Sequence, residues 1–354
     1  MQDIIKDSIS IYKNCNLCPR KCGVDRTAPH MARGFCKEGM ELKVAYIGPH
    51  YGEEPPISGD MGSGTVFFSG CSLKCCFCQN YQISRLGIGK RMKSEDLLDK
   101  IIYMVDTYKV HNVNFVTPDH FLPHVFGIVT GLRNRVLQLP VIFNISGYQS
   151  VEMIQQSDEY VDIYLVDFKY SDSSLAKKLS SCEDYPSVAL QSISEMIRQK
   201  GFLDAVMTDE PIAKKGVVVR HLILPGKIKN SIDALSMLRI EFGPDLPISI
   251  MSQYFPVLPQ KDRDLNRFVM REEFEEIYEH AMSLGFQHIF IQSHPYDNTE
   301  TIIRSMPVPD FTKENPFRWD NMDNHSNRIP FSLGKYRMNV ENLNASKRKG
   351  FCHL

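Results

Sequence analysis

Seven of the ten cysteines in this 354-residue chain fall into two groups tight enough to hold a metal. The tighter group, Cys71, Cys75 and Cys78, has a C-x3-C-x2-C spacing and follows the apolar run Thr65-Val66-Phe67-Phe68. Thiolates are the usual ligands of iron–sulfur clusters. Three on one loop can hold one face of a [4Fe-4S] cube and leave one iron open. A zinc knuckle or three buried thiols are the competing readings. Structural zinc sites close with four ligands, and the only candidate fourth here, Cys76, directly abuts Cys75.

The second group is Cys15, Cys18, Cys22 and Cys36, in the order C-x2-C-x3-C-x13-C, with Pro19, Gly23 and Gly34 allowing tight turns. Four soft ligands make a complete set for zinc or for a second [4Fe-4S] cluster. So short and loop-rich a segment cannot build its own core and needs a staple. The asymmetric spacing beside a cluster motif favours the cluster.

The core stretch is similar to the signature of the radical S-adenosylmethionine (SAM) superfamily, which has this cysteine triad with an aromatic residue, here Phe77, before the last cysteine. Only this resemblance selects Cys75 over Cys76. Cys-Pro-Arg-Lys-Cys-Gly at 18–23, Asn144-Ile145-Ser146-Gly147-Tyr148, Asp167-Phe168-Lys169-Tyr170 and Arg220-His221-Leu222-Ile223-Leu224-Pro225-Gly226 extend the resemblance over about residues 15 to 317. They are similar to the pyruvate formate-lyase activating enzyme-like branch, often called PflX-like. The resemblance implies a [4Fe-4S] cluster that binds SAM, cleavage of SAM to methionine and a 5′-deoxyadenosyl radical, and an electron donor such as flavodoxin or ferredoxin. A small-metabolite substrate is favoured. The alternatives are an activase of a glycyl radical enzyme or another protein or peptide modifier, and, in a different class, a non-catalytic iron–sulfur or zinc protein.

The elements that position these groups are legible as alternation. Apolar strands are expected at 64–70, 112–117, 140–146, 162–169, 216–223, 246–252 and 288–292. Amphipathic helices are expected near 94–108, 121–135, 151–157, 187–201, 231–242 and 271–284. Such alternation predicts a parallel sheet with right-handed crossovers: an α/β fold, an open partial (β/α)6 barrel, which the resemblance implies is a radical SAM barrel. The expected organisation is an N-terminal four-cysteine metal-binding segment with a connecting loop (1–60), the barrel core (61–296) and an extended C-terminal tail (297–354). A short amphipathic helix at 1–14 and a turn-rich connecting loop at 47–62 complete it. His50, Glu53 and Glu54 could reach the active-site mouth from that loop, which reads equally well as a solvated connection.

Polar residues that finish barrel strands face the cavity. Where most radical SAM proteins carry a glycine-rich turn ending in Glu, this chain has Thr117, Asp119 and His120, and Asp119 is the expected partner of the SAM amino group because a carboxylate suits an ammonium. Asn144 and Ser146 could bind the ribose or the carboxylate, or simply make a turn. Asp167 and Lys169 alternate onto one face, and two charges in an apolar strand are costly unless paired or liganded; SAM recognition is favoured over a structural ion pair. Arg220 or His221 could meet a carboxylate, against a structural histidine. Gln253, Tyr254, Gln292 and His294 are expected on the substrate side.

With 41 basic and 42 acidic residues the chain has no electrostatic footprint for nucleic acid or an anionic membrane. No apolar run reaches the roughly 18 residues of a spanning helix. Many cysteines without an apolar signal-peptide stretch predict a reducing, cytoplasmic setting. The prolines Pro307, Pro309, Pro316 and Pro330, Trp319 and the basic Lys347–Lys349 suggest a tail wrapped over the barrel.

Overall fold

The computed structural model describes residues 10–28, 34–135, 138–208, 210–292 and 308–317. Its centre is a nine-stranded sheet built from β1 (Lys43–His50), β2 (Ser63–Phe68), β3 (Lys90–Arg91), β4 (Val113–Val116), β5 (Val141–Ile145), β6 (Ile163–Asp167), β7 (Gly216–Leu222), β8 (Ile248–Met251) and β9 (Ile289–Gln292), in the order β3-β1-β2-β4-β5-β6-β7-β8-β9. From β2 to β9 every neighbouring pair is parallel. Six crossover helices join them: α1 (Ser94–Tyr108), α2 (Leu122–Asn134), α3 (Val151–Ser157), α4 (Tyr185–Lys200), α5 (Ile228–Phe242) and α6 (Arg271–Ser283). This is the expected partial barrel of six β/α units, followed by a seventh parallel strand.

The strands read as continuous apolar runs because both faces are covered; all six residues of β2 and all four of β4 are buried. Helix α1 shows how the outer layer attaches. Glu95 and Asp96 lie in its first turn, where they complement the helix dipole. Leu97, Leu98, Ile101, Met104 and Val105 form its buried stripe, and Lys109 ends it in a left-handed conformation. Among the described residues no helix is long and apolar enough to cross a membrane.

The connecting loop expected at 47–62 is partly wrong. Residues 43–50 form β1, which pairs antiparallel with β2 and with β3 and so extends the sheet at its leading edge. The remainder of the stretch contains a short helical turn, Pro55–Ser58, that plugs one end of the barrel. Ile57 at that turn packs with Ile142, Ile163, Leu165 and Val218. Three further α-helical segments, Tyr81–Ser84, Ser173–Ser180 and Asp204–Thr208, were not foreseen. Of the helix expected at 1–14, residues 10–13 are helical and 1–9 lie outside the described residues. His294, Pro307, Trp319, Pro330 and Lys347–Lys349 also lie outside them.

Candidate functional site

The inner face of the barrel has two layers because side chains two apart on a strand share a face. Near the plugged end the layer is apolar, with Ile142, Leu165 and Val218. Two residues further along the same strands stand Asn144, Asp167 and Arg220. Strand pairing sets Asp167 beside Arg220 and Arg220 beside Ser249.

Arg220 is the hub of this polar layer. Its Nε donates to Asp167 Oδ1 at 3.0 Å, Nη1 to Glu53 Oε2 at 2.9 Å, and Nη2 to Asn144 Oδ1. Glu53 Oε1 accepts further bonds from Asn114 and Asn144, each 3.2 Å. Lys169 Nζ donates to Asp167 Oδ2 at 2.5 Å. Burial would raise the Asp167 carboxyl, but Lys169 and Arg220 together hold it below its ordinary range. Burial would lower Lys169, and Asp167, then Cys75, raise it instead. That influence of Cys75, together with that of Cys78, puts Lys169 beside the cysteine loop.

The loop leaves β2 through Ser69 and Gly70. Cys71, Cys75 and Cys78 lie within electrostatic reach of one another, and burial pushes the Cys71 thiol up to about 12. Each sulfur also meets a donor. Leu73 N and Lys74 N point at Cys71 Sγ (3.3 and 3.4 Å), Ser180 Oγ donates to Cys75 Sγ at 3.0 Å, and Ser84 Oγ to Cys78 Sγ at 3.4 Å. Cys76 differs: besides its neighbour Cys75, the charges acting on it are Arg85 and Lys178. Phe77 is buried and packs against Tyr170 and Tyr254. Among the described residues no three His, Cys, Asp or Glu side chains converge to clasp a single ion.

The N-terminal lobe docks on this loop. Arg20 donates from Nε to Ser72 O (2.9 Å) and from Nη2 to Ser180 O (2.8 Å), and its guanidinium stacks 3.8 Å from the Phe35 ring centre. A Cβ on Gly70 (φ +84°) would stand 2.5 Å from Glu38 Cγ and 3.1 Å from Cys36 O, so only glycine permits the approach. Within the lobe, Cys15, Cys18 and Cys36 are mutual neighbours, with burial pushing Cys18 up to about 12. Phe35 N lies 3.3 Å from Cys22 Sγ, and buried Arg26 donates to Cys15 Sγ at 3.6 Å. Lys74 is within electrostatic reach of both Cys36 and Cys71, which links the two cysteine groups.

The other expected contact residues divide. Asp119 is 1% exposed; Gln149 donates to its Oδ1, Oδ2 has no protein partner, and burial raises its carboxyl to about 6. Ser146 Oγ is buried without a partner. His221 is not brought to the polar layer. As the neighbour of inward-facing Arg220 it points the other way, between Phe168 O (2.6 Å) and Ser231 Oγ of α5 (2.9 Å). Gln253 O accepts from Gln79 Nε2 at 2.9 Å, which ties β8's exit to the cysteine loop, and Tyr254 is buried with its hydroxyl on Leu265 O. Nothing is described of the Gln292 side chain or of His294.

Sequence reasoning missed several contributors. Ser180, Arg20, Asn114 and Ser249 carry no local signal; each matters through partners far along the chain. Residues 308–317 also reach the barrel. Phe311 and Phe317 pack on inward-facing Phe67, with ring centres 5.6 and 5.5 Å away, and Phe311 N donates to Gln82 Oε1 at 2.7 Å. Phe317 also lies 4.7 Å from the His50 ring.

Residues 58–184, which include β2, the cysteine loop and β4 to β6, match the family described as "4Fe-4S single cluster domain". The chain is 29% identical over 291 residues to "Uncharacterized protein MJ0674" of Methanocaldococcus jannaschii, covering 79% of this chain and 78% of that one. Among solved structures it is similar to HydG, a maturase of the [FeFe]-hydrogenase, with a TM-score of 0.47 and 10% identity over 70% of this chain. The chain spans about half of HydG, 54% of its length. It is also similar to methylornithine synthase (PylB), with a TM-score of 0.42 and 15% identity over 68% of this chain and 67% of that one.

Proposed function

We propose that this chain, part of which matches a 4Fe-4S single cluster domain, is a radical SAM enzyme that reductively cleaves SAM and directs the resulting radical at a small molecule held inside the barrel. The observation that carries this reading is the grouping of Cys71, Cys75 and Cys78 beside the Lys169–Asp167 pair, where parallel strands end.

The donor set fits a [4Fe-4S] cluster. Soft thiolates are its ligands, and the bonds from Leu73 N, Lys74 N, Ser180 and Ser84 to the three sulfurs are the kind that tune such a cluster. The Cys71 and Cys78 thiols, raised by burial, become thiolates when metal takes the proton's place. Once bound, the cluster supplies the electron, delivered by a flavodoxin- or ferredoxin-like donor, that splits SAM into methionine and a 5′-deoxyadenosyl radical.

The chain's own residues bind and orient. Asp119, with its free Oδ2, would accept from the SAM amino group, and Ser146 would donate to the ribose or the carboxylate. Lys169 would pair with the carboxylate while Asp167, itself anchored by Arg220, holds the Lys169 ammonium in place. Phe77 seats the loop through its aromatic neighbours. Phe311 and Phe317, packed on inward-facing Phe67, would help exclude water.

The four N-terminal cysteines would hold a second metal. Cys15, Cys18 and Cys36 are mutual neighbours, and the asymmetric C-x2-C-x3-C-x13-C spacing beside the cluster loop favours a second [4Fe-4S] cluster over zinc. Iron and zinc analysis of a variant lacking the triad identifies the metal. The substrate class is tested with reconstituted protein, SAM and dithionite by adding either the small-molecule filtrate or the retained macromolecules of the source cell. Stimulation of 5′-deoxyadenosine formation by the filtrate is expected. Stimulation only by the macromolecules would replace this reading with that of an activase or protein modifier.

A further inference from the structure

The polar layer of the barrel is not electrically closed. Three buried carboxyl groups, Glu53, Glu54 and Asp167, surround two cations, Arg220 and Lys169. Glu53 and Asp167 are satisfied. Glu54 is not: it is 1% exposed, neither carboxylate oxygen accepts a well-formed hydrogen bond although Ser249 lies beside it, and burial raises its carboxyl, so that its ionised form calls for a further cation. Ser249 Oγ and the Asn114 carbonyl oxygen, both fully buried, also lack well-formed partners. His50 does not supply the missing charge, since burial and then Arg220 push it down to about 4.

An orphaned buried carboxylate with unused acceptors around it is costly, and the group that would relieve it is a cationic hydrogen-bond donor. Glu54 enters from the helical turn that plugs the barrel, directly before Pro55 and three residues from Ile57, and reaches Ser249 on β8 and Arg220 on β7. The orphans therefore face the barrel interior, on the side away from the solvent-facing helices.

We propose that Glu54, with Asn114 and Ser249, binds the protonated amine of the substrate, so that the small molecule is a primary amine or a related organic cation. This deepens the small-molecule reading above and rests on it. The test needs neither SAM nor reductant, so it fails or succeeds separately from radical chemistry.

The melting temperature of the full-length, anaerobically reconstituted protein is measured with methylammonium, 1,4-diaminobutane and agmatine as chlorides. Sodium chloride of equal ionic strength and the neutral 1,4-butanediol serve as references. At least one ammonium probe is expected to raise the wild-type midpoint, and butanediol is expected not to. Glu54→Gln, nearly isosteric and uncharged, is expected to melt higher than wild type without ligand and to lose the response to the probe. No ammonium-specific shift in the wild type would overturn the proposal, as would an equal shift in Glu54→Gln or a lower midpoint in that variant. If Glu54→Gln does not fold, Glu54→Met takes its place, and the wild-type comparison of ammonium with diol remains decisive alone.

Discussion

Arg220→Met removes the cation around which the polar layer is arranged. The guanidinium makes three bonds, to Asp167, Glu53 and Asn144, and the arginine and Glu53 side chains are only 11% and 7% exposed. Methionine approximates the stem in length and apolar character, so the main loss is charge. Taking one partner from a buried ion pair leaves the other uncompensated, which typically destabilises by about 3–5 kcal/mol. Lys169 still offsets Asp167, so most of the penalty falls on Glu53 and Glu54. Adding Glu53→Gln should therefore return part of the loss, with a coupling of about 0.5–3 kcal/mol between the two sites. Anaerobic urea unfolding of reconstituted protein, followed by circular dichroism with matched slopes, reads both quantities. A loss below about 1 kcal/mol in Arg220→Met, or a double variant no better than the sum of the singles, would refute the hub.

Asp167→Ala and Lys169→Ala should each raise the SAM concentration needed for half-maximal binding by about ten- to a hundredfold, the worth of one charge-assisted hydrogen bond of about 1.5–3 kcal/mol; equilibrium dialysis with labelled SAM measures it, and unchanged binding would make the pair structural. His221 is buried neutral, pushed from 6.5 down to about 4 chiefly by burial. The unfolded chain takes up its proton below pH 6.5 while the folded chain does not until about pH 4, so this residue's contribution is lost as pH falls through that window. Relative to His221→Gln, the wild type should lose up to ~1.4 kcal/mol per pH unit there; parallel stability–pH curves for the two proteins would contradict the assignment.

Most of the barrel was legible because its strands are apolar runs bounded by turns, and its helices carry regular stripes such as Leu97, Ile101, Met104 and Val105. Strand β1 escaped because Gly48-Pro49 reads as a turn, and its pairing with Gly64 and Thr65 is supplied by β2 rather than by local preference. Arg220 and His221 were equally attractive as sequence; only strand parity, set by Val218 facing inward, separates the interior arginine from the helix-facing histidine. Glu53 and Glu54 were read as residues of a loop near the mouth. They lie instead inside the barrel, because Ile57 anchors their segment to Ile142, Ile163, Leu165 and Val218, a tertiary constraint that has no local signature. Cys75 and Cys76, which in the sequence only the resemblance separates, also differ in surroundings: Ser180 approaches one, and Arg85 and Lys178 influence the other.

The central claim is tested most directly by 5′-deoxyadenosine formation from SAM and dithionite, comparing reconstituted wild type with Cys71→Ala, Cys75→Ala, Cys78→Ala and Cys76→Ala. The account predicts product from the wild type and from Cys76→Ala and none from the other three. Full turnover in any triad variant, or no product from cluster-loaded wild type, would contradict it.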